Sequence, residues 1–343
     1  MAAERRKPRL NLRVRGLDGQ GRASDIAGMT RYPVFHHPDY VAPLPTGHRF
    51  PMSKYEAVVK ELKLLGSDGY AVFRSASEVA AEAMRGAHDA LYVEQLLALA
   101  VDPTIERRIG FPVTGQVLRR ARHASGGTLG AARKALEVGA ASNTAGGSHH
   151  AHPGFGSGYC VLNDVGIAAR QLLAEGAVER ILVVDLDVHQ GDGTAVMFES
   201  EPRVFTFSMH CEANFPVRKA RSDLDIGLDV GTDDATYLKR LEVSLPRILE
   251  MHRPQLVFYN AGVDVHAEDR LGRLALSDDG LEARDRFVAR ECLESGVPFV
   301  TVMGGGYGAD VSVIARRHAR TIAIAAEVWE RTMPTPRAEA SGL

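Results

Sequence analysis

Cysteine is scarce. Cys160, Cys211 and Cys292 are the only three in 343 residues, too few and too scattered to frame a disulfide fold, which points to a reducing compartment. No apolar run approaches the roughly 20 residues that a membrane-crossing helix needs. The N-terminus also lacks the apolar stretch of a secretory signal. Net charge is nearly absent, at -2, so nothing in the global balance pulls the chain toward nucleic acid. What remains is ordinary globular composition, 45% hydrophobic and 24% charged, ample for one sizeable core. The expected protein is soluble and cytoplasmic, or nuclear in a cell with a nucleus. A homo-oligomer stays open.

Organisation follows from pattern. Residues 1–30 carry "RRKPRLNLRVRG" and "GLDGQGRASD", a basic, turn-rich stretch expected to form a loosely docked arm. Residues 331–343 read as a frayed tail. Between them, one catalytic domain is expected over 31–330, with no internal repeat. "SKYEAVVKELKLLG" places Ser53 and Glu56 in capping-box register, and Gly66 can end that helix. "SASEVAAEAMRGAHDALYVEQLLALA", "LNDVGIAARQLLAEG", "LEARDRFVARECLESG" and "SVIARRHARTIAIAAEVW" also read as helical. "TYLKRLEVSLPRILEMH" does too, with a kink expected at Pro246. "RILVVDLDV", "RVFTFSMH", "QLVFYNAGVD" and "PFVTVMGGG" are short, β-branched and apolar on both faces. Such strands, separated by helices, predict an α/β fold with a mostly parallel sheet covered on both sides.

In open α/β sheets, ligands bind beyond the carboxyl ends of the strands. The segments there are "DLDVHQGDG", "SMHCEANFP", "NAGVDVHAED" and "MGGGYG", joined by "ASNTAGGSHHAHPGFGSGYC". Asp187 and His189 lie two apart, so extended backbone aims both the same way, and Asp185 shares that parity. Asp264, from the end of a neighbouring strand, can supply a third ligand. Two carboxylates and one imidazole leave positions open for water and substrate, as in catalytic zinc sites. Iron(II) or cobalt would also suit this donor set. His149 and His150 are adjacent, so they should diverge and chelate poorly, but they suit acid–base work beside a metal. Asp185 and Asp192 are available to orient them. Tyr307, after a glycine triplet, can bring a phenol to a developing oxyanion. Cys160 reads as a buried small residue rather than a nucleophile, and His152, His210 and His266 as structural or rim residues.

With these residues assembled, the chain resembles the histone deacetylase / acetoin-utilisation / acetylpolyamine amidohydrolase superfamily. "GGSHHAHPGFGSGYCVLND", "VDLDVHQGDGT", "YNAGVDVHAEDRLGRLALS" and "MGGGY" occur in order. "NAGVD…EDRLGRLALS" and "NFPVRKARSDLDI" look more like the class IV branch and its bacterial relatives than class I. The resemblance implies an arginase-like α/β fold and hydrolysis of an N-acyl-lysine or similar amide. It implies zinc on Asp187, His189 and Asp264, His150 as general base, His149 as its electrostatic partner and Tyr307 as catalytic tyrosine. Asp185 and Asp192 match the acids behind the histidines. Gly158, Tyr159, Phe215 and Leu271 fall at substrate-tunnel positions, with Tyr159 standing where the family usually has phenylalanine. Asp185 and Ser208 match a structural potassium or sodium site.

The implied partner is an acyl-lysine peptide or protein, or an acylated amine, with no membrane and no nucleic acid. One rival is an acetylpolyamine amidohydrolase working at the same site. A two-metal ureohydrolase using His266 and Asp269 is another, and needs more bridging carboxylates than the chain places. The rival from another class is a non-catalytic binding protein, against which every catalytic role is filled.

Overall fold

The segments "ILVVD", "LVFYN" and "FVTV" are buried along their whole length, as strands covered on both faces must be. They belong to a sheet of eight parallel strands: β1 Tyr32–His36, β2 Ala71–Ser75, β3 Ala140–Asn143, β4 Ile181–Asp185, β5 Val204–Cys211, β6 Leu224–Leu228, β7 Leu256–Asn260 and β8 Phe299–Val302. The spatial order is β2-β1-β3-β8-β7-β4-β5-β6. This computed structural model describes residues 31–332, so the arm over 1–30 and residues 333–343 lie outside the described residues. Helix Gly115–Val138 packs with Asp164–Ala174, and helices Lys54–Leu64 and Asp278–Glu294 pack with Val311–Thr332. Both sets reach the sheet and so cover its opposite faces. No helix among the described residues is long and apolar enough to cross a membrane. All three cysteines are free and buried.

Several expectations change. Ser53 makes no side-chain cap, because its backbone is already wound at φ -68° and ψ -9°, and Glu56 pairs with Lys60 instead at 2.8 Å. The segment read as one helix with Pro246 in it is one, Asp234–His252. The segment read as one helix after Ser75 divides into Ala81–Ala87 and Ala90–Leu97, with His88 extended between them. The last helix runs to Thr332, two residues into the stretch expected to fray. Strands β1, β2 and β6 and the helix Gly115–Val138 were not expected.

The sheet order positions the site. β3, β8, β7 and β4 are neighbours at its centre, so the loops leaving their carboxyl ends rise side by side. Those four loops carry the histidine pair, Tyr307, Asp264 and the Asp187–Asp192 segment.

Candidate metal centre and substrate cavity

β4 ends at Asp185, so Asp187 and His189 converge by a bend rather than by strand alternation. The Asp185 carboxylate accepts the Asp187 amide at 3.2 Å, and Asp187 accepts the His189 amide at 2.9 Å. These are consecutive aspartate turns. Asp264 lies four residues beyond the end of β7, not on the strand, and accepts the Val188 amide at 3.0 Å. The His189 Nδ1 then sits 3.0 Å from Asp187 Oδ1 and 3.2 Å from Asp264 Oδ2. Gly305 closes the centre: its amide donates to Asp187 Oδ2 at 2.7 Å, and a Cβ there would overlap the Asp264 carboxylate.

Asp187, His189 and Asp264 are buried, and one ligand atom from each falls within 4.8 Å of the others. Ligands bound at about 2.0–2.2 Å to a tetrahedral ion stand roughly 3.3 Å apart, close to the spacing seen. Burial pushes the Asp264 carboxyl up, with the Asp187 charge adding to it. Burial also opposes a charge on Asp187, but His149 and His189 hold it well below the usual carboxylate range. Two enclosed acids facing one imidazole form a donor set that a divalent cation fits. A second cluster, His37, Asp39 and His123, is half-buried. Its two rings stack face to face at 3.7 Å, and a nitrogen of each lies near the same Asp39 oxygen, at 3.9 and 3.6 Å.

The histidine pair does not diverge as expected. The His149 and His150 rings lie 4.0 Å apart, each tied to its own acid. His149 Nδ1 pairs with Asp185 at 2.7 Å, and His150 Nδ1 with Asp192 at 2.6 Å. Neither joins the three-atom cluster. Burial lowers His150 to about 4, with the His149 charge adding to the effect. Burial also works against a charge on His149, but Asp185 and Asp187 outweigh it and hold that ring up to about 9. His152 shares Asp192 at 3.0 Å, His210 lies against Ser208 at 2.9 Å, and His266 accepts the Glu268 amide at 3.0 Å. Burial pushes the Cys160 thiol up to about 12, which leaves no thiolate near neutral pH.

A cavity of 390 Å³ opens above the centre, lined by His150, Gly158, Tyr159, His189, Phe215, Leu271 and Tyr307. Tyr159 adopts φ 67°, a conformation uncommon for a bulky residue, and its ring stacks parallel to Phe111. Phe215 stands edge-on to His150 at 4.9 Å. Burial, with the Asp187 and Asp264 charges adding, holds the Tyr307 phenol well above its ordinary value. That keeps its proton available for donation. Asp185 and Ser208 are register partners on β4 and β5.

Several supporting contacts were not legible in the sequence. Asn260 donates to Asp185 at 2.9 Å. Asp164 accepts the Gly147 and Ser148 amides at 3.1 and 2.7 Å, fixing the backbone just before the histidines. Asp269 accepts the Tyr307 amide at 2.6 Å and the Leu271 and Gly272 amides at 2.8 and 2.9 Å. It staples a loop, and the ligand-type clusters among the described residues do not include it. Lys54, fully buried, donates to the Gly304 carbonyl at 3.1 Å beneath the glycine loop. Only Asn260 left a signal, as a polar residue ending an apolar strand.

A profile of the histone deacetylase domain matches residues 48–323. The chain belongs to the histone deacetylase family. Within the superfamily that also holds acetoin-utilisation proteins, it is a deacetylase-type hydrolase with the α/β fold expected. An uncharacterized protein of Picosynechococcus sp. is 47% identical over 302 residues, covering 87% of this chain and 99% of that one. "Histone deacetylase 2" of Arabidopsis thaliana is 35% identical over 200 residues, 57% of this chain and 52% of the plant protein. "Acetoin utilization protein AcuC" of Staphylococcus aureus is 33% identical over 141 residues, 38% of this chain and 36% of that protein. The shared stretch is thus about half of the plant deacetylase and about a third of the acetoin protein.

Proposed function

We propose that this deacetylase-family chain removes an acyl group, acetyl or longer, from the ε-amine of lysine in peptides or proteins. The cation held by Asp187, His189 and Asp264 is zinc first, with iron(II) or cobalt compatible. One observation carries the reading: these three donors converge beneath the same cavity that His150 and Tyr307 line. A bound divalent cation supplies Lewis-acid polarisation of the acyl carbonyl and an acidified water.

The chain's own residues do the rest. Asp192 occupies His150 Nδ1, which leaves Nε2 to take the proton of the attacking water. Asp185 fixes His149 in the same way, and His149 supplies charge beside the reacting carbon. Tyr307 donates its hydroxyl hydrogen bond to the carbonyl oxygen as negative charge develops there. An imidazolium of the pair then returns the proton to the leaving amine as the C–N bond breaks. Gly158, Tyr159, Phe215 and Leu271 enclose the acyl-lysine stem. A structural potassium or sodium ion at Asp185 and Ser208 belongs to the same proposal, supported by their register pairing.

The test is release of lysine from an acetyl-lysine peptide with and without a chelator. Hydrolysis requires the cation and returns with zinc. Activity that survives complete metal removal rejects the proposal.

A further inference from the structure

The cavity above the centre adjoins a second one of 820 Å³, which shares Leu271 and Tyr307 with it. Arg108 and Arg273 line the first; Arg49 and Arg270 line the second. No aspartate or glutamate lines either. All four arginines are exposed and pair with no described acid, whereas Arg316, Arg317 and Arg320 on the last helix each hold one. Acids close by in sequence are committed elsewhere: Glu106 to the Val113 amide, Glu268 to Arg317 and Asp269 to three amides. Asp187 and Asp264 are buried under the floor. In a chain of net charge -2, four guanidiniums without an acid line these two adjoining cavities, that of Arg108 lying over the Phe155 ring at 4.8 Å, a local asymmetry that composition does not explain.

We infer that this opening selects acyl-lysines flanked by acidic residues and disfavours polycationic substrates. The inference rests on the amidohydrolase reading and names its substrate class. A guanidinium presents a planar fork that matches a carboxylate in two parallel hydrogen bonds. Cations around a mouth also steer anionic ligands toward it. An acylated polyamine, or a peptide rich in lysine, would bring its remaining ammonium groups to this rim among like charges.

The metal-loaded full chain is given acetyl-lysine peptides of one length with acidic, neutral or basic flanks, and a monoacetylated polyamine. Hydrolysis is followed as kcat/KM, and peptide Kd is measured separately by fluorescence anisotropy. The acidic peptide exceeds the basic one by about tenfold at low salt, mostly in KM, and the ratio falls below about twofold at roughly 0.5 M salt. Replacing both rim arginines of the first cavity (R108Q/R273Q) brings the acidic and basic peptides together in KM and Kd. Equal values for the two peptides at low salt, or preference for the polyamine, would overturn the inference. Hydrolysis of none of them overturns the amidohydrolase reading instead, and the Kd series still decides the rim.

Discussion

At the centre, single side chains hold several partners at once. Asp185 takes the Asp187 amide, Asn260 and His149 together, so it shapes both the loop of the proposed ligands and the histidine pair. Tyr307 differs, since its hydroxyl is proposed to act only on the reacting carbonyl. Tyr307→Phe should therefore keep full zinc stoichiometry and lose about 100-fold or more in kcat; normal turnover would remove the oxyanion role. Asp264→Ala should lose the metal itself, read as zinc per chain after dialysis. The triad was legible in sequence because the ligand types stand in short loops after apolar strands. The supporting contacts of Asn260 and Asp269 were not, because one polar residue at a strand end or one acid in a turn has many structural uses.

His88 gives a residue-scale pH prediction. Its Nδ1 donates to the His152 carbonyl at 3.0 Å, and its Nε2 accepts the Asn163 amide at 3.0 Å. Both nitrogens are used by the neutral ring. Burial lowers its pKa from 6.5 to about 4. The unfolded chain binds this proton more readily, so stability falls as pH drops through 6.5 and stops falling below about 4. By pH 5 the cost is about 2 kcal/mol from this ring alone. Denaturant unfolding of wild type and His88→Gln at pH 7 and 5 checks it: the variant should show the shallower pH slope.

Among elements, the central strands were readable and the flanks were not. β4, β7 and β8 are apolar on both faces. β2 and β6 are edge strands with exposed, mixed positions, so they lack that signature. The helix Gly115–Val138 hid behind its glycines. A Cβ at Gly127 would meet Tyr40 and one at Gly130 would meet Phe35, so low helix propensity was accepted for close packing. The loop from β8 depends on a neighbour, because Asp269 holds the Tyr307 amide. Asp269→Ala should lower kcat by about tenfold or more while zinc content stays unchanged, since about 1 Å of misplacement is enough to slow chemistry. Unaltered kcat would show that the tyrosine finds its place unaided.

For the whole molecule, the fold class was legible from alternation, while strand order was not. Sequence pattern says which segments are strands but not which pair. The same scale governs metal-linked stability. A cation that binds only the folded chain stabilises it by mass action, so saturating zinc should raise Tm by several degrees. That gain should vanish in Asp264→Ala. Calorimetry showing equal Tm with and without zinc in wild type would contradict a folded-state site.

β7 and β8 stand between β3 and β4 although they come more than 70 residues later in the chain. During synthesis, the histidine pair and the first two ligands leave the ribosome with a gap in the sheet beside them. Asp264 arrives on the segment that fills this gap, and Tyr307 follows the last strand of all. A partly made chain therefore carries neither the full set of proposed ligands nor the proposed catalytic tyrosine, and activity should switch on only as the final third joins the middle of the sheet.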